Sequence, residues 1–313
     1  MTSPRRHLKL RMGVGRGLTL RIVERPGLAL PPDQLAALVG ELKQIAQKVL
    51  PDEPLDYGVL GGDRGRLDHA VITVLYDSRT GAPVAFNALA LMDATLAGRP
   101  VEVLHLGLVM VDPGMRGRGL SELLYGLTCV LIFLRRGCRP VRLSSVTQVP
   151  AVLGMVCETF DQVFPTPEHR SNPSFVHRTL ARQIMARHRQ VFGVGPEAGF
   201  DEDRSVILDS YTGGSDNLKK TFDDAPKHRK AVYNAMCAGE LDYGRGDDFL
   251  QIGLLNMEAA RRYLARVAGP SSGAWFALRL MIFAVQSALL PALHWFDSDE
   301  PMGRLRPWKA HRL

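Results

Sequence analysis

Hydrophobic and polar positions alternate with a period of two in several short stretches of the chain. This alternation is typical of half-buried strands, and it is found at residues 18–25 and in the β-branched stretch at residues 69–77. Turn residues around Gly81 separate the second stretch from a third, PVAFNALALM, at residues 83–92. The second and third stretches therefore predict a β-hairpin.

A longer apolar run, VEVLHLGLVMV at residues 101–111, follows a second hairpin turn. It is apolar on both faces, which predicts a central strand. Directly after it comes DPGMRGRGLSELL, and from there leucines recur every three to four residues as far as Leu134. This spacing predicts an amphipathic helix that ends near Gly137.

Further helices and strands are predicted on both sides of this segment. Residues 33–50 have helical spacing, with Asp33 as the N-cap residue. PVRLSSV predicts a strand, and PAVLGMVCETF predicts a helix that begins at Pro150. In the second half, helices are predicted at residues 173–193, 257–267 and 273–296, and strands at residues 204–211 and 247–253.

The composition is that of a globular protein with a sizeable core. Of 313 residues, 46% are hydrophobic and 23% are charged, so we expect one large domain or a domain with an appendage. The four cysteines show no CxxC spacing and have no histidine cluster near them, which argues against a disulfide scaffold and against a metal site. Three of them lie in apolar surroundings, which fits buried thiols in a reducing cytoplasm, the expected location.

Positive charge dominates, with a formal net charge of +7. Five Lys or Arg residues and no acid lie in residues 1–16, so residues 1–17 are interpreted as a flexible basic tail. The predicted domain occupies residues 18–256, and a helical extension occupies residues 257–313. The sequence has no helix-turn-helix, RNA-recognition or zinc pattern, so nucleic acid is not an expected partner. A phosphate-bearing ligand or an anionic membrane surface also fits the charge.

The turn RGRGLS lies where the central strand passes into the helix. A helix N-terminus presents unpaired N–H groups and partial positive charge, and so forms an anion site. Gly117 and Gly119 let the backbone come close to a ligand, while Arg116 and Arg118 add positive charge beside it. The pattern predicts that this turn holds a pyrophosphate. A dinucleotide-binding GxGxxG would follow the first strand, and no Walker motif is present.

The segment around this turn resembles the acyl-CoA-binding motif of the GNAT N-acyltransferase superfamily, [Q/R]-x-x-G-x-[G/A]. Arg116, Gly119 and Ser121 stand at its fixed positions, and Ser121 departs from the usual Gly or Ala. Further on, Gln148 stands at a family Asn position and Met155 stands where Tyr is common. The resemblance implies an α/β fold: a mixed, mostly antiparallel twisted sheet flanked by helices, here with a C-terminal helical extension.

The resemblance, which is specific over residues 100–162, implies that acyl-CoA is the co-substrate and that no metal takes part. Members of the superfamily bind acyl-CoA in a cleft where the fourth and fifth strands splay apart. The implied CoA-binding residues are Val109, Val111, Arg116, Gly117, Arg118, Gly119, Leu120, Ser121 and Gln148. The implied reaction is direct transfer of an acyl group, with acetyl as the expected one, to an amine acceptor.

The resemblance also implies a general base on the central strand. The family's base position falls on His105, whose unperturbed pKa of about 6.5 suits that role. Glu102 is the alternative base, on the opposite face by strand parity, and a purely structural role for His105 also stays open. Met155 cannot protonate the leaving thiolate. Tyr125, Cys157 or water is left for that step, unless the thiolate leaves unassisted.

The acceptor site is expected in the second half of the chain. Two polar, Gly-rich segments, residues 210–220 and 241–249, are candidates for its walls, and ordinary connecting loops are the alternative. The apolar helix at residues 273–296 is expected in the core or at a homodimer interface, or else on a membrane surface, which would make the protein membrane-peripheral. Two alternatives therefore stay open: a non-catalytic acyl-CoA-binding or regulatory protein, and a membrane-surface acyltransferase with a lipid-linked or long-chain substrate.

Overall fold

The computed structural model describes residues 7–51, 58–170 and 172–267, together with Leu280. The chain divides into two units, residues 1–263 and residues 264–313. Apart from Leu280, the predicted apolar helix lies outside the described residues, so the expectations attached to it stay predictions. Among the described residues, no helix is long and apolar enough to cross a membrane.

Ten strands and eight α-helices make up the regular structure of the described residues. The strands are β1 (Lys9–Gly15), β2 (Leu18–Glu24), β3 (Ala70–Asp77), β4 (Pro83–Leu96), β5 (Arg99–Val111), β6 (Val141–Thr147), β7 (Asp161–Phe164), β8 (Gly199–Asp201), β9 (Val206–Leu208) and β10 (Asp248–Leu255). The helices are α1 (Pro26–Ala29), α2 (Pro32–Val49), α3 (Arg64–Asp68), α4 (Leu120–Arg135), α5 (Pro150–Thr159), α6 (Phe175–Arg187), α7 (Ala231–Glu240) and α8 (Met257–Val267).

The strands form one sheet in the order β1-β2-β3-β4-β5-β6-β10-β9-β8, and β7 also pairs with β10. β5 and β6 run parallel, whereas the other described pairs are antiparallel. β5 lies in the middle of this order, which confirms the predicted central strand. The predicted hairpins β3–β4 and β4–β5 and the mixed, mostly antiparallel sheet are confirmed as well.

Two local features correct the sequence analysis. Residues 9–15, interpreted as part of a flexible tail, form β1 and pair with β2 along its length. The side chains of β1 are exposed or half-buried in alternation, and such an edge strand carries a weak hydrophobic signal. The second correction concerns α2, which begins at Pro32 with Pro31 as its N-cap residue, so that Asp33 lies in the first turn instead.

Helices cover both faces of the sheet. On one face, α2 packs on β3 and β4, and α6 packs further along on β4, β5 and β10. α4 packs on the opposite face, where the hydroxyls of Thr73 and Thr128 are 2.7 Å apart. On the first face, residues from the ranges 58–70 and 188–192 line the cavity described below.

Candidate active site

The two central strands separate at one end. β5 and β6 pair over residues 103–106 and 142–145, and the register between them ends there. β5 continues along β4 as far as Val111, while β6 continues along β10 as far as Thr147. Beyond Leu106, the β6-facing edge of β5 therefore has no ladder partner among the described strands.

A β-bulge in β5 marks the point of separation. Opposite Ala88 and Ala90 of β4, β5 runs from Leu108 to His105 and so carries one residue more than its partner. Gly107 lies in this bulge, and a Cβ atom there would overlap the carbonyl oxygen of Ala88. Because the extra residue inverts the alternation, His105 and Leu108 face the same side of the sheet.

A cavity of about 720 Å³ lies at the splayed end of the sheet. Its volume suits a small-molecule ligand. β4 and β5 form its floor, and its walls come from the segments after α2 and α6 and from both candidate acceptor segments. The polar residues along it are Asp63, Arg66, His69, Asp93, His105, Thr147, Gln148, His188, Gln190, Tyr211, Ser215 and Asp248.

The glycine turn is exposed at the end of β5. Gly117 and Gly119 take the left-handed backbone region, with φ of 77° and 70°, and Gly119 is the N-cap residue of α4. Arg116 and Arg118 are exposed beside them. A further guanidinium comes from the β1–β2 turn, since Arg16 Nη1 donates to the carbonyl oxygen of Arg118 at 3.2 Å. Three guanidinium groups therefore lie close to the N-terminus of α4.

Asp112 holds the start of this turn. Its carboxylate accepts a hydrogen bond from the Lys48 ammonium at 2.7 Å and from the Gly114 backbone N–H at 2.9 Å. The Lys48 contact is the main reason that the pKa of Asp112 lies below its ordinary value. Because Lys48 lies in the last turn of α2, this ion pair ties the glycine turn to that helix.

The remaining residues predicted to bind CoA lie along the same path. Val109 lines the cavity, and Val111 ends β5. Leu120 is buried at the start of α4, and Ser121 is exposed. Gln148 lines the cavity just after the end of β6. The structure thus brings these residues to one end of the sheet, and their binding of CoA stays a prediction.

Gln148 connects β6 to both candidate acceptor segments. With its amide oriented to suit its neighbours, Oε1 accepts from the Tyr211 hydroxyl at 2.6 Å and from the Lys220 amide at 2.8 Å. Nε2 then donates to the Lys220 carbonyl oxygen at 3.3 Å. The backbone carbonyl of Gln148 accepts from the Tyr243 hydroxyl at 2.6 Å. These contacts fix the walls of the cavity to the end of β6.

His105, the predicted base, is buried at the floor of the cavity. It is 3% exposed, its Nδ1 lies 3.0 Å from Ser144 Oγ, and its ring centroid lies 5.1 Å from that of Phe192. Burial lowers the pKa of His105 to about 4. Such an imidazole is neutral and weakly basic at neutral pH. The base role stays a prediction, and this pKa counts against it.

The other two predicted catalytic residues are not among those that line the cavity. Glu102 forms ion pairs with Arg25 and with Arg136 at the end of α4, on the face of the sheet that α4 covers. Tyr125 is buried in α4, where its hydroxyl donates to the carbonyl oxygen of Gly107. Burial also raises the pKa of Tyr125, so this hydroxyl keeps its proton.

None of the three acids that line the cavity, Asp63, Asp93 and Asp248, was singled out in the sequence, and Asp248 is the buried one. Asp248 begins β10 and is 3% exposed, and its Oδ1 lies 3.4 Å from the Tyr211 hydroxyl. Desolvation raises the pKa of Asp248 to about 7, although its contacts with Ser210 and Tyr211 act in the opposite direction. The sequence signal for it was only its place within residues 241–249, because burial of a loop acid cannot be read from its neighbours in the chain.

Two further findings concern proton donors and metals. Met155 is half-buried on α5, so the position that often carries a Tyr in the family supplies no acid. Within the part of the chain that the structure describes, no group of three or more His, Cys, Asp or Glu side chains is arranged to hold a metal ion.

The order of elements agrees with the resemblance seen in the sequence. Antiparallel hairpins lead to a central strand, a glycine turn and a helix, and the parallel strand that follows separates from the central one. The order of elements is therefore similar to that of the GNAT fold. In this fold, the separation of β5 and β6 is where the resemblance implies the acyl-CoA cleft.

Comparison with solved structures finds acetyltransferases that match part of the chain. A ribosomal-protein-S5-alanine acetyltransferase from Vibrio fischeri is 13% identical, with a TM-score of 0.31, over 44% of this chain and 73% of that one. An acetyltransferase from Trypanosoma brucei is 20% identical, with a TM-score of 0.26, over 38% and 76%. An aminoglycoside N-acetyltransferase in complex with CoA is 18% identical, with a TM-score of 0.27, over 44% and 77%.

No family model matches the sequence, and the comparison with curated proteins gives no match.

Proposed function

We propose that this protein is an acyl-CoA-dependent N-acyltransferase that passes an acyl group, acetyl being the first to test, directly from CoA to an amine. The observation that carries the proposal is the splay of β5 and β6, which leaves one edge of β5 open beside the cavity and before the glycine turn. An extended pantetheine chain suits such an edge, because its amides can hydrogen-bond to the strand backbone as an added strand does.

The glycine turn supports the same proposal from the phosphate end of the ligand. The N–H groups at the start of α4 suit the pyrophosphate of CoA. Arg116 and Arg118 add positive charge on the turn, and Arg16 reaches it from the β1–β2 hairpin. Because an arginine fork can bind phosphate oxygens in pairs, Arg16 is a candidate ligand for the CoA phosphates.

The proposed chemistry is attack of an uncharged amine on the thioester carbonyl. A backbone N–H of the open β5 edge would polarise that carbonyl. The amine nitrogen bonds to the carbonyl carbon, the C–S bond breaks, and CoA leaves as a thiolate, which takes up the proton that the nitrogen loses. A thiol pKa of about 8.5 makes this leaving group adequate without a side-chain acid. A reaction without a side-chain acid agrees with two observations: Met155 has no proton to donate, and the Tyr125 hydroxyl is already bonded to the Gly107 carbonyl oxygen.

Calorimetry with acetyl-CoA and mass spectrometry of acetylated amines test the proposal. Gly119→Val should weaken acetyl-CoA binding by about 1–3 kcal/mol, because the side chain blocks N–H groups that the pyrophosphate needs. Gly81→Val is the matched control, since Gly81 is also left-handed, with φ of 72° and open space around it, but belongs to the β3–β4 turn. Equal affinity of the two folded variants would contradict the proposed phosphate site.

A non-catalytic acyl-CoA-binding or regulatory protein is the second candidate function. Met155 at the family's Tyr position and the low pKa of His105 favour it. Tight acetyl-CoA binding without turnover of any amine would identify this case. The membrane-surface alternative depends on residues 273–296, outside the described residues, and stays a prediction, as do homodimer formation and the cytoplasmic location.

A further inference from the structure

Asp248 is a buried acid that forms no ion pair with a Lys, Arg or His of the described residues. Its neighbour Asp247 differs, because Arg245 binds both of its oxygens at 2.7 Å. Ionising a carboxyl group in a poorly solvated place without a counterion is costly. A cation that arrives with a ligand would remove that cost at Asp248.

The place of Asp248 in the sheet puts it beside the splay. Asp248 pairs with Ile207 of β9, and the next residue, Phe249, pairs with Thr147 at the end of β6. By strand alternation Asp248 shares a face with Leu250, which packs in one cluster with Val103 of β5. That face also carries His105 and the cavity. The carboxylate therefore borders the same cavity as the strand edge proposed for pantetheine.

The cavity near Asp248 combines hydroxyl groups with apolar surface. Ser210 and Tyr211 place hydroxyls beside the carboxylate, and Val191, Phe192 and Leu218 supply apolar and aromatic surface elsewhere in the cavity. A carboxylate flanked by hydroxyl groups suits the three N–H donors of a primary ammonium. The apolar surface suits a hydrophobic body attached to that ammonium.

We propose that Asp248 binds the ammonium group of the acceptor and removes one of its protons, and that the acceptor is a small primary amine with an apolar body. This inference rests on the proposed acyltransferase function. The ammonium R–NH₃⁺ gives one proton to the Asp248 carboxylate, and the resulting R–NH₂ attacks the thioester. As the C–N bond forms and the C–S bond breaks, a second nitrogen proton passes to the CoA thiolate. Asp248 then releases its proton to solvent.

Several side chains interact with Asp248. The side chains that act on it are Ser210, Tyr211 and Asp247, and it acts in turn on Cys237 and Tyr243. Burial raises the pKa of Cys237 to about 12 and that of Tyr243 above its ordinary range, and Arg245 helps to hold the pKa of Asp247 below its ordinary value. A pKa of about 7 at Asp248 suits a base that works at neutral pH.

Asp248→Asn tests the inference, with Asp216→Asn as the matched control. Asp216 is an exposed acid of the other candidate segment, residues 210–220, and is not among the residues that line the cavity, so its substitution removes one formal negative charge away from the cavity lining. Acetyl transfer is measured with acetyl-CoA and with phenethylamine, spermidine or a lysine peptide as acceptors. We expect phenethylamine to be preferred, and Asp248→Asn to lose about 10²-fold or more in kcat/KM together with the rise in rate through neutral pH. Its affinity for acetyl-CoA should equal that of the wild type.

Each outcome decides between the two proposals. If the wild type is active and Asp248→Asn keeps the kcat/KM of Asp216→Asn, the inference is overturned and the acyltransferase proposal stands. A preference for spermidine or the peptide overturns the acceptor class. If the wild type turns over no amine, the proposed function is overturned, and calorimetry with phenethylamine judges the ammonium site alone. In that case, equal affinities of the two variants for phenethylamine overturn the ammonium site, and a loss of affinity confined to Asp248→Asn supports it.

Discussion

The hydroxyl of Tyr125 in α4 donates a hydrogen bond to the carbonyl oxygen of Gly107 in the bulge of β5. The bulge inverts the side-chain alternation of β5 and so brings His105 and Leu108 to the same face. Ala88 approaches Gly107 too closely for any side chain there. The floor of the cavity therefore depends on a contact made from the opposite face of the sheet.

Tyr125→Phe should remove this contact without unfolding the protein. We expect a loss of about 1 kcal/mol in the free energy of unfolding, as for a typical internal hydrogen bond, and a lower kcat, because the bulge that shapes the cavity is released. Tyr76→Phe is the control, since the Tyr76 hydroxyl donates to the Glu41 carboxylate at 2.6 Å and neither residue is among those that line the cavity. Denaturant titration and the pH profile of kcat measure both effects. A lost alkaline limb in Tyr125→Phe would instead make Tyr125 the acid suggested by the sequence.

Arg16→Ala should weaken CoA binding although Arg16 lies on a hairpin remote in sequence from the glycine turn. The expected loss is about 0.2–1 kcal/mol, the usual worth of an exposed charge contact, and it should shrink at high salt. Arg11→Ala is the control because Arg11 belongs to the same hairpin but lies over the ring of Tyr76, with its guanidinium carbon 5.4 Å from the ring centroid. Calorimetry with CoA and with dephospho-CoA shows which phosphate Arg16 contacts. Identical affinities of the two variants for CoA would remove Arg16 from the site.

His105→Gln should improve stability in acid. A histidine in the unfolded chain has a pKa of about 6.5, whereas that of folded His105 is about 4. Between these values the unfolded state binds the proton, so stability falls as the pH falls from 6.5 to 4. Near pH 4 the free energy of unfolding of the variant should therefore exceed that of the wild type by about 2–4 kcal/mol, and above pH 7 the histidine should cause no such difference.

The same variant decides the catalytic role of His105. With Asp248 as the base, we expect His105→Gln to keep kcat within about tenfold of the wild type, since the lost group is neutral and weakly basic. A loss of about 10²–10⁴-fold, with Asp248→Asn still active, would return the base role to His105 as the sequence resemblance implied.

Asp248→Asn should change stability with the opposite dependence on pH. The pKa of Asp248 is raised to about 7 from an ordinary value of 3.8, so between these values the folded state holds a proton that the unfolded state has lost. Stability therefore falls as the pH rises from about 4 to 7. The variant should gain stability over the wild type above pH 7 and lose that gain near pH 4. Thermal unfolding of both proteins between pH 4 and pH 8 measures this difference. If the stabilities of the two proteins change in parallel with pH, the raised pKa of Asp248 is contradicted.

Much of the fold follows from local pattern. Alternation predicted β2, β3 and β4, the continuous apolar run predicted β5, and leucine spacing predicted α4. β7 (Asp161–Phe164) and β8 (Gly199–Asp201) were missed because three or four residues are too few to show a period. The exposed edge strand β1 was missed because it buries too little apolar surface to need a hydrophobic pattern.

The sequence by itself determined the glycine turn, since Gly117 and Gly119 supply the left-handed backbone and the arginines supply charge wherever that turn lies. Only the tertiary structure decided which titratable groups share the cavity. Asp248 lines the cavity because β10 pairs with β6. Glu102 does not line it, because it forms ion pairs with arginines on the other face of the sheet. The physical reason is that burial and desolvation set a pKa, and both depend on strands that pair across long separations in sequence.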